Sequence, residues 1–515
     1  MNSVALSLLQ EQLEGIAHEM GSALARTAFS PNIRVRRDFS CALFSARGEL
    51  LAQAAHIPVH LGSMPAHVRR LLASRSVGPG ELYLGNDPYD GGTHLPDLTL
   101  MRPVFAGDIC LGIAAVRAHH ADVGGPNPGS MSSQRDIYGE GLRLPLIRVA
   151  SNDAWDPELR SVLLANMRSP SDREGDLLAQ QAACRVGERG LRRLYSGWSG
   201  ACVERWQDGQ RQLLDATYRF VQSGLSRILP QDSTASFQDW LECDDQTLPI
   251  QVSLGLFQNC LVADFAGTAA AVAASFNAPL AVTQAALAYV VSCLMDEPVA
   301  VNEGLLRCLE VRAPLGSLVH AQHPAAVAAG NVETSQRLVD VLLGALHILV
   351  PERIPAASAG SMNNLSFGFP GGAVHYETSG GGCGGHPQGP GASGLQVHMT
   401  NTRSTPCEVL EMEFPVRVRR HTFRPGSGGA GMHSGGLGTI KEIEFLQPAS
   451  LTMMATRRTT RPYGLCGGQP GLAAHQAIRL PGQDWVSVPG SFTRSIPVGT
   501  RFLLETPGGG GYGSP

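Results

Sequence analysis

The 515-residue sequence predicts an α+β, multidomain fold with mixed and antiparallel sheets, a helical middle section and a Gly-rich, β-like C-terminal part. Three observations carry this. Strand-length apolar runs bounded by Gly, Pro and Asp fill residues 1–150, long periodic segments fill 157–229, and pairs and triplets of glycine crowd the region after 357. The same shifts divide the chain into an α+β section at 1–150, a helical section at 151–235, an α/β section at 236–356 and a Gly-rich section at 357–515. At roughly 100–200 residues per domain, the length allows about three domains with large cores.

Taken in order, Leu6, Leu9, Leu13, Ile16, Met20 and Leu24 recur at steps of three and four, giving an opening helix one apolar stripe, with Ser3 as its N-cap. Beyond Pro31, the runs 39–44 and 50–53 flank Arg47-Gly48-Glu49 and predict a hairpin. Strands follow at 81–84, 98–105 and 109–117, then helices at 160–167, 175–195 and 203–228. Strands resume over 248–265, before an Ala-rich helix at 280–295 and another at 335–349 stopped by Pro351. The glycine groups at 380–382, 384–385, 428–429, 435–436 and 508–511 permit close backbone approach and turns at positive φ, and the simplest reading of them is loop. No fixed-period repeat is present.

Composition narrows the function. With 43% hydrophobic and 16% charged residues the chain reads as globular. Forty basic against forty-four acidic side chains give a net charge of -4, without the basic surplus that nucleic-acid binding calls for. Lys441 is the single lysine, and it follows Thr439-Ile440 with no Ser or Thr behind it, so there is no Walker A loop; ATP, if used, is bound by another chain. Eleven cysteines without a CxxC pair read as reduced thiols, and residues 1–20 lack a basic leader and a cleavage site, so a cytoplasmic location is expected. The apolar stretch 280–295, interrupted by Thr283, Gln284 and Ser292, falls short of the roughly 20 residues that span a membrane and reads as a buried helix.

The densest polar cluster comprises Asn86 to Asp97 and, past one strand, His119 to Gly125. Imidazole and carboxylate are the usual protein ligands of a catalytic divalent metal. A hairpin turning at Ala106-Gly107-Asp108 brings the two segments to the same end. Neighbours on a strand face opposite ways, so His119 and His120 cannot both ligate if the strand runs through them. His119 with Asp122 and His120 with Asp122 both fit the spacing, the other histidine being supporting or structural. The stretch Asn331 to Arg337 reads as a polar loop entering a helix with a Ser or Thr cap. His386, His398 and His433 are candidates to line a pocket, and Cys383 has no identifiable base beside it.

Taken together these motifs resemble the hydantoinase B/oxoprolinase family, the B-type subunit of ATP-dependent cyclic-amide hydrolases, which is also similar to the alpha subunit of acetone carboxylase. The resemblance runs nearly end to end. It is carried by Arg26 to Ser30 with Arg36 to Ser40, by His56 to Met64, by Gly85 to Pro88 and by His119 to Gly125. Asn331 to Arg337, His398 to Thr402 with Thr405-Pro406, and Pro507 to Gly513 extend it. It implies a division of labour in a hetero-oligomer: an A-type subunit binds ATP and phosphorylates the ring carbonyl of a small cyclic amide, and this chain hydrolyses it with a divalent metal, Zn, Mn or Fe, without nucleic acid or membrane.

The resemblance further implies Asp38, His94, His119 and Asp122 as metal ligands, with His120 and Asp87 as supporting groups. The last three ligands lie in the cluster above; Asp38, after Arg36-Arg37, is a strand carboxylate that burial would oblige to find a metal or arginine partners. Asp122→Ala is then expected to abolish metal content and turnover with the fold intact. Arg36, Arg37 and Arg337 are candidates by type for an O-phosphorylated substrate. Pro390 stands where the family often has Asp before a Ser, so no particular lactam carries over. A ketone carboxylase subunit and a non-catalytic scaffold of the ATP-binding partner are the other readings; a scaffold has no need of stoichiometric metal.

Overall fold

The opening stripe folds as α1 (Ser3–Thr27), followed by the short α2 (Pro31–Arg34). The computed structural model describes residues 3–54, 57–243 and 246–515; His56 and the side chain of Ser3, expected as a cap, lie outside the described residues. β1 (Phe39–Phe44) and β2 (Leu50–Ala54) pair as the expected hairpin. After α3 (Met64–Ser74) come β3 (Leu82–Gly85), β4 (Asp97–Ala106), β5 (Ile109–His119), β6 (Ile147–Ser151) and β7 (Ala154–Trp155), which complete an antiparallel sheet of order β2-β1-β5-β4-β3-β6-β7.

α4 (Pro157–Ala165), α5 (Pro170–Ser199) and α6 (Val203–Ile228) form the helical section. It does not have a core of its own. Leu13 of α1, Leu98 and Val116 of the sheet, Leu191 of α5 and Leu214 of α6 belong to one buried cluster, while Val68 and Leu71 of α3 cover the opposite face against Phe44 and Ile113. A sheet with an apolar face must bury it on something, and α1 with α5 supplies the cover. Gly187 makes that approach possible: a Cβ there would lie 2.6 Å from Met20 Sδ.

The next sheet combines β8 (Thr234–Cys243), β9 (Gln246–Phe257), β10 (Cys260–Asp264) and, beyond α7 (Leu280–Leu294) and α8 (Glu303–Leu306), β11 (Leu309–Arg312). α7 and α9 (Ser335–Leu349) pack over it, Ala286 and Val290 meeting Leu338 and Leu342 within the same core as Ile250 and Val252. Among the described residues no helix is long and apolar enough to cross a membrane.

The C-terminal part is a sandwich. One sheet holds β12 (Asn364–Gly368) and β13 (Val374–Glu377) with β16 (Ala449–Met454) and β19 (Ser491–Ile496). The other holds β14 (Val416–Phe423), β15 (Thr439–Phe445), β17 (His475–Arg479), β18 (Val486–Ser487) and β20 (Arg501–Glu505), with α10 (Cys407–Glu413) leading into it. Phe367 and Leu451 from the first meet Ile443 and Phe502 from the second. The glycine groups are not loose loop. They run beside one another and bond laterally, Gly382 N to Pro507 O, Gly436 N to Cys383 O and Gly509 N to Gly436 O. A Cβ on Gly382 would stand 1.9 Å from Gly436 O, so the segments pack at a spacing only glycine allows, the steric rule of the collagen axis.

Lys441 of β15 is 4% exposed and ion-paired with Glu377 of β13, joining the two sheets. Burial by itself would raise the Glu377 carboxyl; Lys441 and His375 outweigh it and hold it well below the usual range. This stabilisation is complete above the ordinary glutamate pKa and is lost as pH falls through the depressed one. An amine-acylating reagent should therefore leave Lys441 unmodified in the native protein at neutral pH and modify it once denaturant opens the sandwich; mass spectrometry of the tryptic digest reads the difference.

Candidate active site

Three adjacent strands deliver acid and imidazole groups to one place. Asp97 is directly opposite His119 in the β4–β5 ladder, and antiparallel partners share a face. The His119 amide donates to Asp38 O, one residue ahead of β1. Asp38, His119 and Asp97 thus form a row across β1, β5 and β4. His94 comes from the turn before β4, and His60 from the short 3-10 turn Pro58–His60. Asp38, His60, Asp97 and His119 line a buried cavity of about 20 Å³ together with Asn331 and Tyr376, room for about one water.

Asp97 is the hub. Its Oδ2 accepts from His60 Nε2 at 3.2 Å, from Asn331 Nδ2 at 3.5 Å and from Thr93 Oγ1, and lies 3.3 Å from His94 Nε2. Burial would raise its carboxyl, but His94 and His60 outweigh that and hold it well below the ordinary range. Asp38 is raised by burial, with Arg36 opposing. His119 is lowered by burial, His94 adding to the effect, and its ring stacks on Tyr376 with centroids 4.7 Å apart. Asn32 Nδ2 lies 3.1 Å from His119 Nδ1 and 3.5 Å from Asp38 Oδ2.

The donor set suits a divalent metal. His94 Nδ1 faces Ala328 O at 3.3 Å, a carbonyl that anchors the ring, while Nε2 faces Asp97 Oδ2; burial would lower this imidazole, but Asp97 outweighs it and holds it above its usual pKa, so an ion binding at Nε2 would displace a proton. His94 Nε2 and His119 Nε2 are both buried without a hydrogen-bond partner, and the two rings are 5.0 Å apart. Two imidazoles beside two buried carboxylates are the chemistry that zinc, manganese and iron take. Among the described residues no three His, Cys, Asp or Glu side chains close ready-made on one point, so these four are neighbours whose rotamers must converge on an ion.

Asp122 does not join them. Each of its oxygens already accepts twice: Oδ1 from Gly124 N and Arg168 N, Oδ2 from Gly129 N and Arg168 Nη1. It is a fully buried brace of the 122–130 loop. The expectation for Asp122→Ala is accordingly reversed. Metal content should stay as in the parent chain, while stability drops by about 3 kcal/mol because buried donors lose their acceptor; metal analysis and urea denaturation of the same preparation check both.

His120 faces away from His119, its Nε2 3.0 Å from Gln180 Oε1 on α5. Asp87 caps the turn Pro88–Asp90 through Tyr89 N. Neither touches the cluster through a hydrogen bond. Arg36 is buried, and all five of its N–H donors are used, on Arg403 O, Asn32 Oδ1, Tyr376 O, Thr378 Oγ1 and Thr402 Oγ1, so none is left for a substrate. Arg37 is exposed. Arg337 is fully buried in an ionic network with Asp239 and Asp340. The cap expected at 331–337 is absent: a π-helical turn, Gly330–Thr334, runs straight into α9, and Ser335 Oγ bonds back to Asn331 O.

A model of one family, described as Hydantoinase B/oxoprolinase, matches residues 2–515. The chain belongs to that family. An uncharacterised protein of Methanocaldococcus jannaschii is 38% identical over 100% of this chain and 91% of its own length. The 5-oxoprolinase 1 of Arabidopsis thaliana is 36% identical over 99% of this chain, which spans only 42% of that longer protein. Among solved structures, an ATP-dependent caprolactamase from Pseudomonas jessenii superposes with a TM-score of 0.90 at 26% identity, covering 100% of this chain and 91% of that one.

In this hydantoinase B/oxoprolinase chain the sequence reading passed over Asp97, His60 and the Asn331 side chain. Signals for all three were present: His60 lies in the His56–Met64 motif, Asp97 closes the Asn86–Asp97 cluster, and Asn331 opens its own motif. What was lacking was the strand register, which sets Asp97 rather than Asp122 opposite His119.

Proposed function

We propose that this chain opens a small cyclic amide whose ring carbonyl has been activated by phosphorylation on an ATP-binding A-type partner, and that Asp38, His94, Asp97 and His119 hold a divalent Zn, Mn or Fe ion for that step. The carrying observation is the row of Asp38, His119 and Asp97 on neighbouring strands beside the buried Nε2 atoms of His94 and His119. An ion bound there supplies Lewis acidity and brings the pKa of water toward neutrality. Water adds to the phosphorylated carbon, the C–N bond breaks with both protons of that water ending on the ring nitrogen as its amine, and the acyl phosphate left behind is hydrolysed by a second water to carboxylate and inorganic phosphate.

The chain's own groups divide the remaining work. His60, with Ser40 Oγ 3.1 Å from Nδ1 and Asp97 at Nε2, holds a proton at Nε2 and is placed to return it to the leaving nitrogen. Asn331 Oδ1 is buried with no partner at the cavity wall, an acceptor for the attacking water that this cavity has room for. Tyr376 and Met399 close the cavity and keep bulk water out. The separate ATP-binding partner is supported by the single lysine, which is committed to Glu377 and out of reach of a nucleotide.

Co-expression with an A-type partner tests this. About one ion per chain and ATP-dependent opening of hydantoin, 5-oxoproline or caprolactam are expected; a metal-free active complex, or a carboxylated product retaining bicarbonate-derived label, overturns it. In the same assay Asn331→Ala should lower kcat about tenfold with KM little changed, the loss of one buried hydrogen bond to the attacking water.

A further inference from the structure

Arg117 lies on β5 two residues before His119, on the same face of the strand, and is fully buried. It stands between the cavity that His119 lines and the core that Ile113 and Ala115, farther back on that face, share with α3. Its hydrogen bonds all go to neutral oxygens: Nε donates to Thr99 Oγ1 at 2.8 Å, Nη1 to Ser63 Oγ at 2.8 Å and Nη2 to Gly91 O at 3.0 Å. Burial lowers the guanidinium to about 10, with Asp97 opposing, so it is charged at neutral pH. Arg337 and Arg457, equally buried, each meet the carboxylates of Asp239 and Asp340. Arg117 has no such contact, and a cation kept out of water on neutral acceptors is costly.

Each acceptor belongs to a segment that carries a group of the site. Thr99 faces Arg117 across the β4–β5 ladder, two residues beyond Asp97, just as Asp97 faces His119. Ser63 is three residues past His60, and its Oγ donates in turn to His60 O at 3.1 Å. Gly91 is three residues ahead of His94. We infer that Arg117 is a positioning residue: its planar fork ties the end of β4, the 57–63 turn and the 91–94 loop to the strand that carries His119, so that Asp97, His60 and His94 are held against that strand. Asp38 is fixed separately, its carbonyl accepting from the His119 amide. A lysine at 117 would keep the charge but not the fork. The effect on metal affinity rests on the proposed reading of His94, Asp97 and His119 as ligands; the bonds to the three segments do not.

The test uses the intact chain and begins without metal. Hydrogen exchange read by mass spectrometry should quicken at least tenfold at 60–63 and 91–94 together in Arg117→Met, and at 60–63 alone in Ser63→Ala, with the amides of α7 unchanged in both. In Arg117→Met the Kd for Co²⁺, measured by competition with a chelator, should then rise at least tenfold, the cost of losing a group that orients ligands, and the visible absorption of the bound ion should shift. Arg117→Lys should recover only a minor part of that affinity. Parent-like exchange in both segments overturns the inference, as does parent-like Co²⁺ affinity in Arg117→Met or full recovery by Arg117→Lys. A parent chain that binds no Co²⁺ sinks the proposed function, and the exchange rates still decide the role of Arg117; a parent that binds the ion and opens the ring with an A-type partner, beside unquickened exchange in Arg117→Met, does the reverse.

Discussion

On the proposed function, Asp97→Asn should lower ATP-dependent ring opening by about 10³-fold and reduce bound metal to a small fraction of one ion per chain, the several kcal/mol that a Lewis acid contributes to such a reaction. The substitution is chosen because it separates charge from shape. An asparagine oxygen still accepts from Thr93 and His60, so the β4–β5 end and the 57–60 turn keep their bonds. What disappears is the negative charge that the two histidines hold so firmly ionised. Circular dichroism and thermal unfolding should match the parent chain, and metal analysis should not. Retention of full metal and turnover would remove Asp97 from the site.

The second large effect is on stability. Asp340→Ala should destabilise the chain by about 3–5 kcal/mol, the range for breaking one partner out of a buried ion pair. Asp340 Oδ2 is 2.8 Å from Arg457 Nη2 and 3.3 Å from Arg337 Nη1, and Asp239 Oδ2 contacts both arginines at 2.8 and 3.0 Å. Removing Asp340 leaves two fully buried guanidiniums sharing one carboxylate. The network joins α9 to β8 and to the segment after β16, so its loss loosens the middle section and the sandwich together. Urea denaturation should show an earlier transition, whereas metal content per folded chain stays unchanged. An unshifted midpoint would mean that the pairs are solvated and weak.

Much of the fold was legible because it is written in side-chain period. Leu6 to Leu24 at helical spacing, 39–44 and 50–53 about Arg47-Gly48, and 98–105 with 109–117 about Gly107 are local patterns that local sterics enforce. Two things escaped that reading. Glycine carries no side chain, so the packed segments around Gly382, Gly436 and Gly509 have no period to read, only an excluded Cβ. The helices at 157–228 show their stripe in sequence but not its partner, and the partner is the first sheet.

By itself the sequence determined the family, the α+β layout, the missing lysine loop and the concentration of His and Asp at one end of a hairpin, since composition, motif and spacing are properties of the chain as a string. Only the tertiary structure decided which groups meet. Register set Asp97 opposite His119; Gly124, Gly129 and Arg168 took up both oxygens of Asp122; burial turned Arg36 and Arg337 into clamps. The physical reason is that a polar side chain removed from water must find a partner, and the partners come from parts of the chain as distant as Asp38, Asn331 and Tyr376.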